Sequence, residues 1–282
     1  MKKPQWIVVG IGIVLVTLLF FFGKTIPEKK PVLSGQNNAQ TTNQQVSIDS
    51  ILTLAKKQLS KEQVLRLSML ENSISRGDVK DQKIKILHQL AHFWADSAGV
   101  FEPYAWYEAE AARLENSEKS LTFAAQLFLD NLQTDEVQER RRWKALQAKD
   151  LFERSLKINP ANDSAQIGLG ACYIFGGISA MPMEGILKVK AIADQDSTNI
   201  YALMTLAKGS VMSGQYDKAI SRLESVNRIQ AGNTEAILML ADVYERTGDK
   251  KNAIAWYQKS LQYVNRPDVK AEVEKRIDEL KK

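Results

Sequence analysis

Between Ile200 and Gln262 the sequence repeats with a period of 34 residues, and that period dictates most of what the chain can become. Ala202, Leu206, Ala207, Gly214, Ala219 and Ile220 return 34 positions later as Ala236, Leu240, Ala241, Gly248, Ala253 and Ile254, and Leu223 falls opposite Tyr257. Small residues recur where two helices must approach closely, large apolar ones where a helix face is buried, and glycine where the chain turns. A period of about 20–50 residues marks stacked supersecondary units, none of which buries its apolar face alone. With no strand-like alternation anywhere, the expectation is an all-α chain.

These residues resemble the tetratricopeptide repeat, whose pattern runs large residue, Leu-Gly or Leu-Ala, Tyr, Gly, Ala, aromatic, Pro. The last copy reads Ile237, Leu240–Ala241, Tyr244, Gly248, Ala253, Tyr257, and the one before it Leu203, Leu206–Ala207, Ser210, Gly214, Ala219, Leu223. A third copy has Ala165, Leu169–Gly170 and Tyr173, then Gly185–Ile186, Val189 and Ile192; its three excess residues lie in Gly176–Met183. Ala148, Phe152, Leu156 and Pro160 look like the second helix of a fourth. The resemblance covers Ala145 to Lys282 and implies a right-handed α-solenoid of antiparallel helix pairs.

The net charge of +5 suggests nucleic acid until it is located. Lys2, Lys3, Lys24, Lys29 and Lys30 against Glu28 give the first 34 residues +4, which leaves about +1 for the rest. That remainder offers no footprint for a polyanion, so no nucleic-acid partner is expected. The charge flanks Trp6 to Phe22, a run of 17 residues without a charge. At about 1.5 Å per residue it spans roughly 26 Å, near the ~30 Å hydrocarbon core. It ends Phe20–Phe21–Phe22, where a signal peptidase needs small residues, and the only cysteine, Cys172, is far off. The run reads as one N-terminal transmembrane helix, an uncleaved anchor in a bacterial inner membrane. A short N-terminal tail usually stays cytoplasmic, which would put the bulk of the chain on the periplasmic side.

The organisation expected is an anchor with basic flanks over 1–33, a flexible polar tether over 34–47, a divergent helical region over 48–131 and the repeat array over 132–282. In the divergent region, Ser60-x-x-Gln63 has the form of a capping box opening a helix, and a second helix from Ile84 runs to Gly99.

No constellation in the sequence reads as an active site. His88 and His92 stand at i, i+4 in HQLAH, the spacing of a zinc-metalloprotease motif, but Gln89 replaces the glutamate that would act as base. They read as a helix face abutting its neighbour, and metal binding is a reading kept only as an alternative. Gly168-x-Gly170 follows no strand and reads as a close-packing site rather than a phosphate loop. Glu139–Arg140–Arg141–Arg142–Trp143–Lys144 reads as a solvated helix whose charges spread around the circumference. The loop Gly176–Met183 reads as a long turn or a partner contact through Met181 and Met183. No catalytic, cofactor-binding or metal-binding residue is assigned.

The resemblance further implies that the first helix of each pair lines a concave groove. Carried over residue by residue, the second repeat positions are Ser164, Tyr201 and Glu235, the fifth Ile167, Met204 and Leu238, and the ninth Ala171, Lys208 and Asp242. The lysine and asparagine that a carboxylate clamp needs at the fifth and ninth positions do not stand there in this sequence. A groove with an apolar floor and mixed charges suits a protein or peptide partner. The expectation is a membrane-tethered interaction scaffold, not an enzyme, serving envelope assembly, secretion or biogenesis. The alternative is a homo-oligomeric structural component whose array self-associates.

Overall fold

Asparagine sets the phase of the repeats. Asn162, Asn199 and Asn233 each stand in extended conformation one residue before a helix, and each side-chain oxygen accepts the backbone N–H three residues on, at 2.9, 3.0 and 2.9 Å. An N-cap of this kind satisfies one of the orphan donors of the first turn. Ser117 does the same for Ser120 at 3.1 Å. Eight residues after each cap stands a small residue: Ala125, Gly170, Ala207 and Ala241. The same phase therefore governs four helices, one of which precedes the recognisable repeats.

The structure is a computed structural model that describes residues 46–74, 79–179 and 182–282. Residues 6–22, read above as the anchor, lie outside the described residues, as do nearly all of the tether and Met181. Every regular element among the described residues is helical: α1 (Ile48–Lys56), α2 (Lys61–Ile74), α3 (Lys80–His92), α4 (Phe101–Glu115), α5 (Glu118–Leu132), α6 (Gln138–Ile158), α7 (Asp163–Phe175), α8 (Met183–Gln195), α9 (Ile200–Met212), α10 (Tyr216–Ile229), α11 (Thr234–Arg246), α12 (Lys250–Ser260) and α13 (Pro267–Leu280). None of them is long and apolar enough to cross a membrane. Residues from Gln45 onward form one compact unit.

The helices pair as hairpins: α3 with α4, α5 with α6, α7 with α8, α9 with α10, α11 with α12. Gly214 and Gly248, at φ 70° and 81°, turn the last two hairpins in the left-handed region that a side chain disfavours. Within each hairpin the small residues let backbones close. Between hairpins, the first helices of successive units pack on each other, α5 on α7 and α7 on α9. The helix from Glu118 to Leu132 is thus the first helix of a unit whose second is Gln138–Ile158, so this hairpin straddles position 131.

The divergent end has its own logic. The box at Ser60 is reciprocal: Gln63 N–H donates to Ser60 Oγ at 3.2 Å, and Ser60 N–H donates to Gln63 Oε1 at 2.8 Å. The helix α3 continues as a π-helical segment, Phe93–Ala98, ended by Gly99 at φ 66°. That extra turn buries Phe93 and Trp94 edge to face, with centroids 5.4 Å apart.

The basic cluster at the start of α6 corrects the sequence reading. Lys144 is 2% exposed, and its ammonium meets Asp135 at 2.6 Å and Glu102 at 2.8 Å beside Asn131. Arg140 forks onto the same Asp135 carboxylate at 2.6 and 2.8 Å, and Arg141 donates to its backbone carbonyl. Burial opposes the charge on Asp135, but hydrogen bonds from Arg140 and Lys144 outweigh it and hold the carboxyl far below the usual range. A helical wheel drawn from the sequence has no knowledge of the α5–α6 loop that supplies Asp135.

Candidate groove

Four first helices, α5, α7, α9 and α11, contribute side chains to one open groove of roughly 470 Å³. Of the nine residues assigned to a groove from the sequence, Ala171, Tyr201, Met204, Lys208 and Glu235 line it together. Around them stand Phe175, Ile200, Thr205 and Asn233, the α5 residues Gln126, Leu129 and Asp130, and Gln133 just past the end of α5. Ser164, Ile167, Leu238 and Asp242 are not in its lining.

The fifth-position row is the main departure. Ile167 is 1% exposed and packs with Val189, Ile192, Ala202 and Leu206, which makes it part of the seam between the α7–α8 hairpin and α9. Met204 is buried too, among Leu203, Ala207 and Leu223, with one edge on the groove. Leu238 lies half-buried against the cluster that seats α13, and Asp242 pairs with Arg246 at 2.8 Å on its own helix. A fifth-position side chain points at the next unit's first helix, so packing claims it before the groove does.

Three of the four ninth positions, all but Asp242, behave otherwise. Counted from the caps at Ser117, Asn162 and Asn199, they are Gln126, Ala171 and Lys208, and all three line the groove. Two polar contacts tie its walls. The Tyr201 hydroxyl donates to Gln126 Oε1 at 3.2 Å, linking α9 to α5 across 75 residues of chain. Lys208 pairs with Glu235 at 2.7 Å, linking α9 to α11. Burial, chiefly, raises the Tyr201 phenol above its ordinary range, so it stays a neutral donor at any working pH.

The other constellations sit apart from the groove. His88 places Nδ1 3.1 Å from Glu108 and Nε2 3.4 Å from Glu115, both on α4, while His92 is exposed and faces Asp96 at 3.3 Å. The two rings have separate carboxylate partners and do not converge, and no group of three metal-ligating residues gathers among the described residues. A Cβ built on Gly170 would stand 2.9 Å from the Gly185 carbonyl oxygen, which is the close helix approach expected there. Met183 opens α8 and is exposed.

The α5 wall was missed from the sequence because its unit has a 21-residue second helix, which breaks the 34-residue spacing. The signal that finds it is the cap: Ser117 with Ala125 eight residues on, in the same relation as Asn199 with Ala207.

The family model for the tetratricopeptide repeat matches residues 210–271, a stretch that holds the Asn233 cap, Ala241 and the turns at Gly214 and Gly248. The chain carries tetratricopeptide repeats. No curated protein matches it significantly. Among solved structures it is similar to PilW, a widely conserved type IV pilus biogenesis factor, at 19% identity over 70% of this chain and 85% of that one, TM-score 0.49. It is also similar to YrrB, a repeat protein with an unusual peptide-binding site, at 14% over 73% and 97%, TM-score 0.42. A third is MamA from Desulfovibrio magneticus RS-1, at 19% over 66% and 96%, TM-score 0.43.

Proposed function

We propose that this tetratricopeptide-repeat chain is a protein-binding scaffold held at a membrane by residues 6–22, and that its partner seats in the groove between α5 and α11. The observation that carries the reading is the groove's construction. Ala171, Tyr201, Met204, Lys208 and Glu235 come from three separate helices to one wall. An apolar floor of Phe175, Ile200, Tyr201 and Met204 beneath polar rim groups is the composition of a peptide groove rather than of a reaction centre. The floor is desolvated by a partner's apolar side chains, and the rim fixes the partner's register. Tethering supplies effective concentration: a client confined to the same membrane meets the groove far more often than one free in bulk. The setting proposed is a bacterial inner membrane, with the array on the periplasmic side and serving envelope assembly, secretion or biogenesis.

The experiment is affinity capture with the full-length chain from detergent-solubilised membranes, beside a variant carrying Gln126→Trp and Gln133→Trp. Gln133 is exposed and Gln126 half-buried, so two indoles fill the mouth without entering the core. The expected result is loss of captured partners with helicity retained and a melting temperature lowered only by the loss of the Tyr201–Gln126 hydrogen bond. Capture at wild-type yield by the plugged variant would overturn the groove.

A further inference from the structure

The charges around the groove are unequal in what they leave available. Lys208 is the one cation in its lining, and it is already committed to Glu235 at 2.7 Å. Asp130 is exposed and forms no ion pair among the described residues; its one polar contact is the Gln126 amide, which donates to Oδ1 at 2.6 Å. The remaining polar lining, Gln126, Gln133, Thr205 and Asn233, is neutral. An anionic ligand entering here finds no uncommitted cation and must pass Asp130. A cationic one finds a carboxylate that no cation among the described residues already occupies.

The apolar half of the site lies beside that carboxylate. Tyr201, close enough to Asp130 to feel its field, forms the floor with Met204 and Phe175. Seven residues before Asp130, and so on the same face of α5, stands Phe123, which is 55% exposed although it is a large aromatic. A single exposed apolar residue is ordinary, but this one continues the groove face of α5 beyond the pocket.

We propose that the groove selects a peptide segment with a lysine or arginine next to an apolar side chain, the cation paired with Asp130 and the apolar group on Tyr201 and Met204. This rests on the groove reading above and adds the chemistry of the occupant. An ion pair at a partly desolvated rim sets register and rejects acidic competitors more than it adds affinity. An acidic segment or a free C-terminal carboxylate is therefore the ligand this groove excludes.

The test is panning of a random twelve-residue peptide library on the full-length protein in detergent, repeated on Asp130→Asn, Asp130→Lys and the Gln126→Trp/Gln133→Trp variant. Wild type is expected to enrich peptides carrying Lys or Arg beside Leu, Ile, Met or an aromatic. Asp130→Asn is expected to lose the basic preference, and Asp130→Lys to turn it toward Asp and Glu. A fluorescein-labelled wild-type winner is expected to bind Asp130→Asn at least tenfold more weakly by anisotropy. Enrichment without a basic bias, or a bias that survives Asp130→Lys, would overturn this proposal while leaving the groove standing. No enrichment on wild type, or winners bound equally by the plugged variant, would overturn the groove itself and the proposal with it.

Discussion

Gly170 and Gly185 face each other across the α7–α8 hairpin with no room between them. A Cβ on Gly170 would stand 2.5 Å from Val189 Cγ2 and 2.9 Å from the Gly185 carbonyl oxygen, and one on Gly185 would fall closer still on the Gly170 carbonyl. The tight approach holds the two helices of the hairpin together at a point one residue before Ala171, so the groove wall depends on the absence of a methyl group.

Gly170→Ala is therefore expected to destabilise the protein by about 1–3 kcal/mol, as overpacking does. The sign is informative, because alanine is favoured over glycine inside a helix by about 1 kcal/mol. Gly209, also mid-helix, would bring a Cβ only within 3.2 Å of the movable Ile174 side chain. Gly209→Ala is expected to stay within about 1 kcal/mol of wild type, propensity offsetting a small shift of Ile174. Chemical denaturation of both variants checks the contrast, and equal midpoints would show that the close approach is not limiting.

The buried network at Asp135 should behave as a unit. Asp135→Asn leaves the Lys144 ammonium, 2% exposed, without its nearest charge partner, and breaking such a pair typically costs about 3–5 kcal/mol. Asp135→Asn with Lys144→Met should recover part of that loss, because neither charge is then stranded. Since hydrogen bonds hold the Asp135 carboxyl far below its unfolded value near 4, its stabilising effect is complete above that value. It is lost as pH falls toward the folded value. Acid titration of stability should accordingly be steeper for wild type than for Asp135→Asn below about pH 4.

His88 offers the opposite sign. Burial works against its charge, but Glu108 and Glu115 outweigh it, and the imidazole is raised above 6.5. A raised base stabilises fully below its unfolded value and loses that contribution as pH climbs through the folded one. The window lies above about pH 6.5, where the α3–α4 hairpin of wild type should lose stability relative to His88→Gln. Proton NMR titration of the two histidines reads this directly. A His88 midpoint at or below that of an unstructured peptide would contradict the geometry.

How far all this was legible in the sequence follows from the kind of physics behind each feature. The helices α9 to α12 and their turns were visible because Ala202 with Ala236 and Gly214 with Gly248 occupy positions that only small or left-handed residues can fill, and such constraints mark the sequence directly. Lys144 was misplaced because its burial is decided by Asp135 and Glu102, which sit on a loop and another helix. Ile167 and Leu238 were assigned to the groove by repeat position, yet they pack into the seams with the helices that follow, which no single-repeat pattern describes. Asp130 was overlooked because its unit departs from the 34-residue spacing, although the Ser117 cap and Ala125 keep its phase.

The anchor proposed for residues 6–22 and the repeat array are expected to be separable. The residues from Gln45 onward form one compact unit, and the described residues of the clusters around Phe128, Trp94 and Leu240 lie within it. Removing residues 1–34 should leave a helical protein that melts with the same cooperativity as the full chain, measured in detergent for both. The cellular outcome is expected to differ sharply. The full chain should sediment with membranes and resist extraction by carbonate, because burying about 17 mostly apolar residues is effectively irreversible. The truncated chain should appear in the supernatant. If it stayed in the membrane pellet while retaining its helical signal, the membrane contact would have to lie within the array, and the exposed Leu65 and Met69 on α2 would be the first residues to replace.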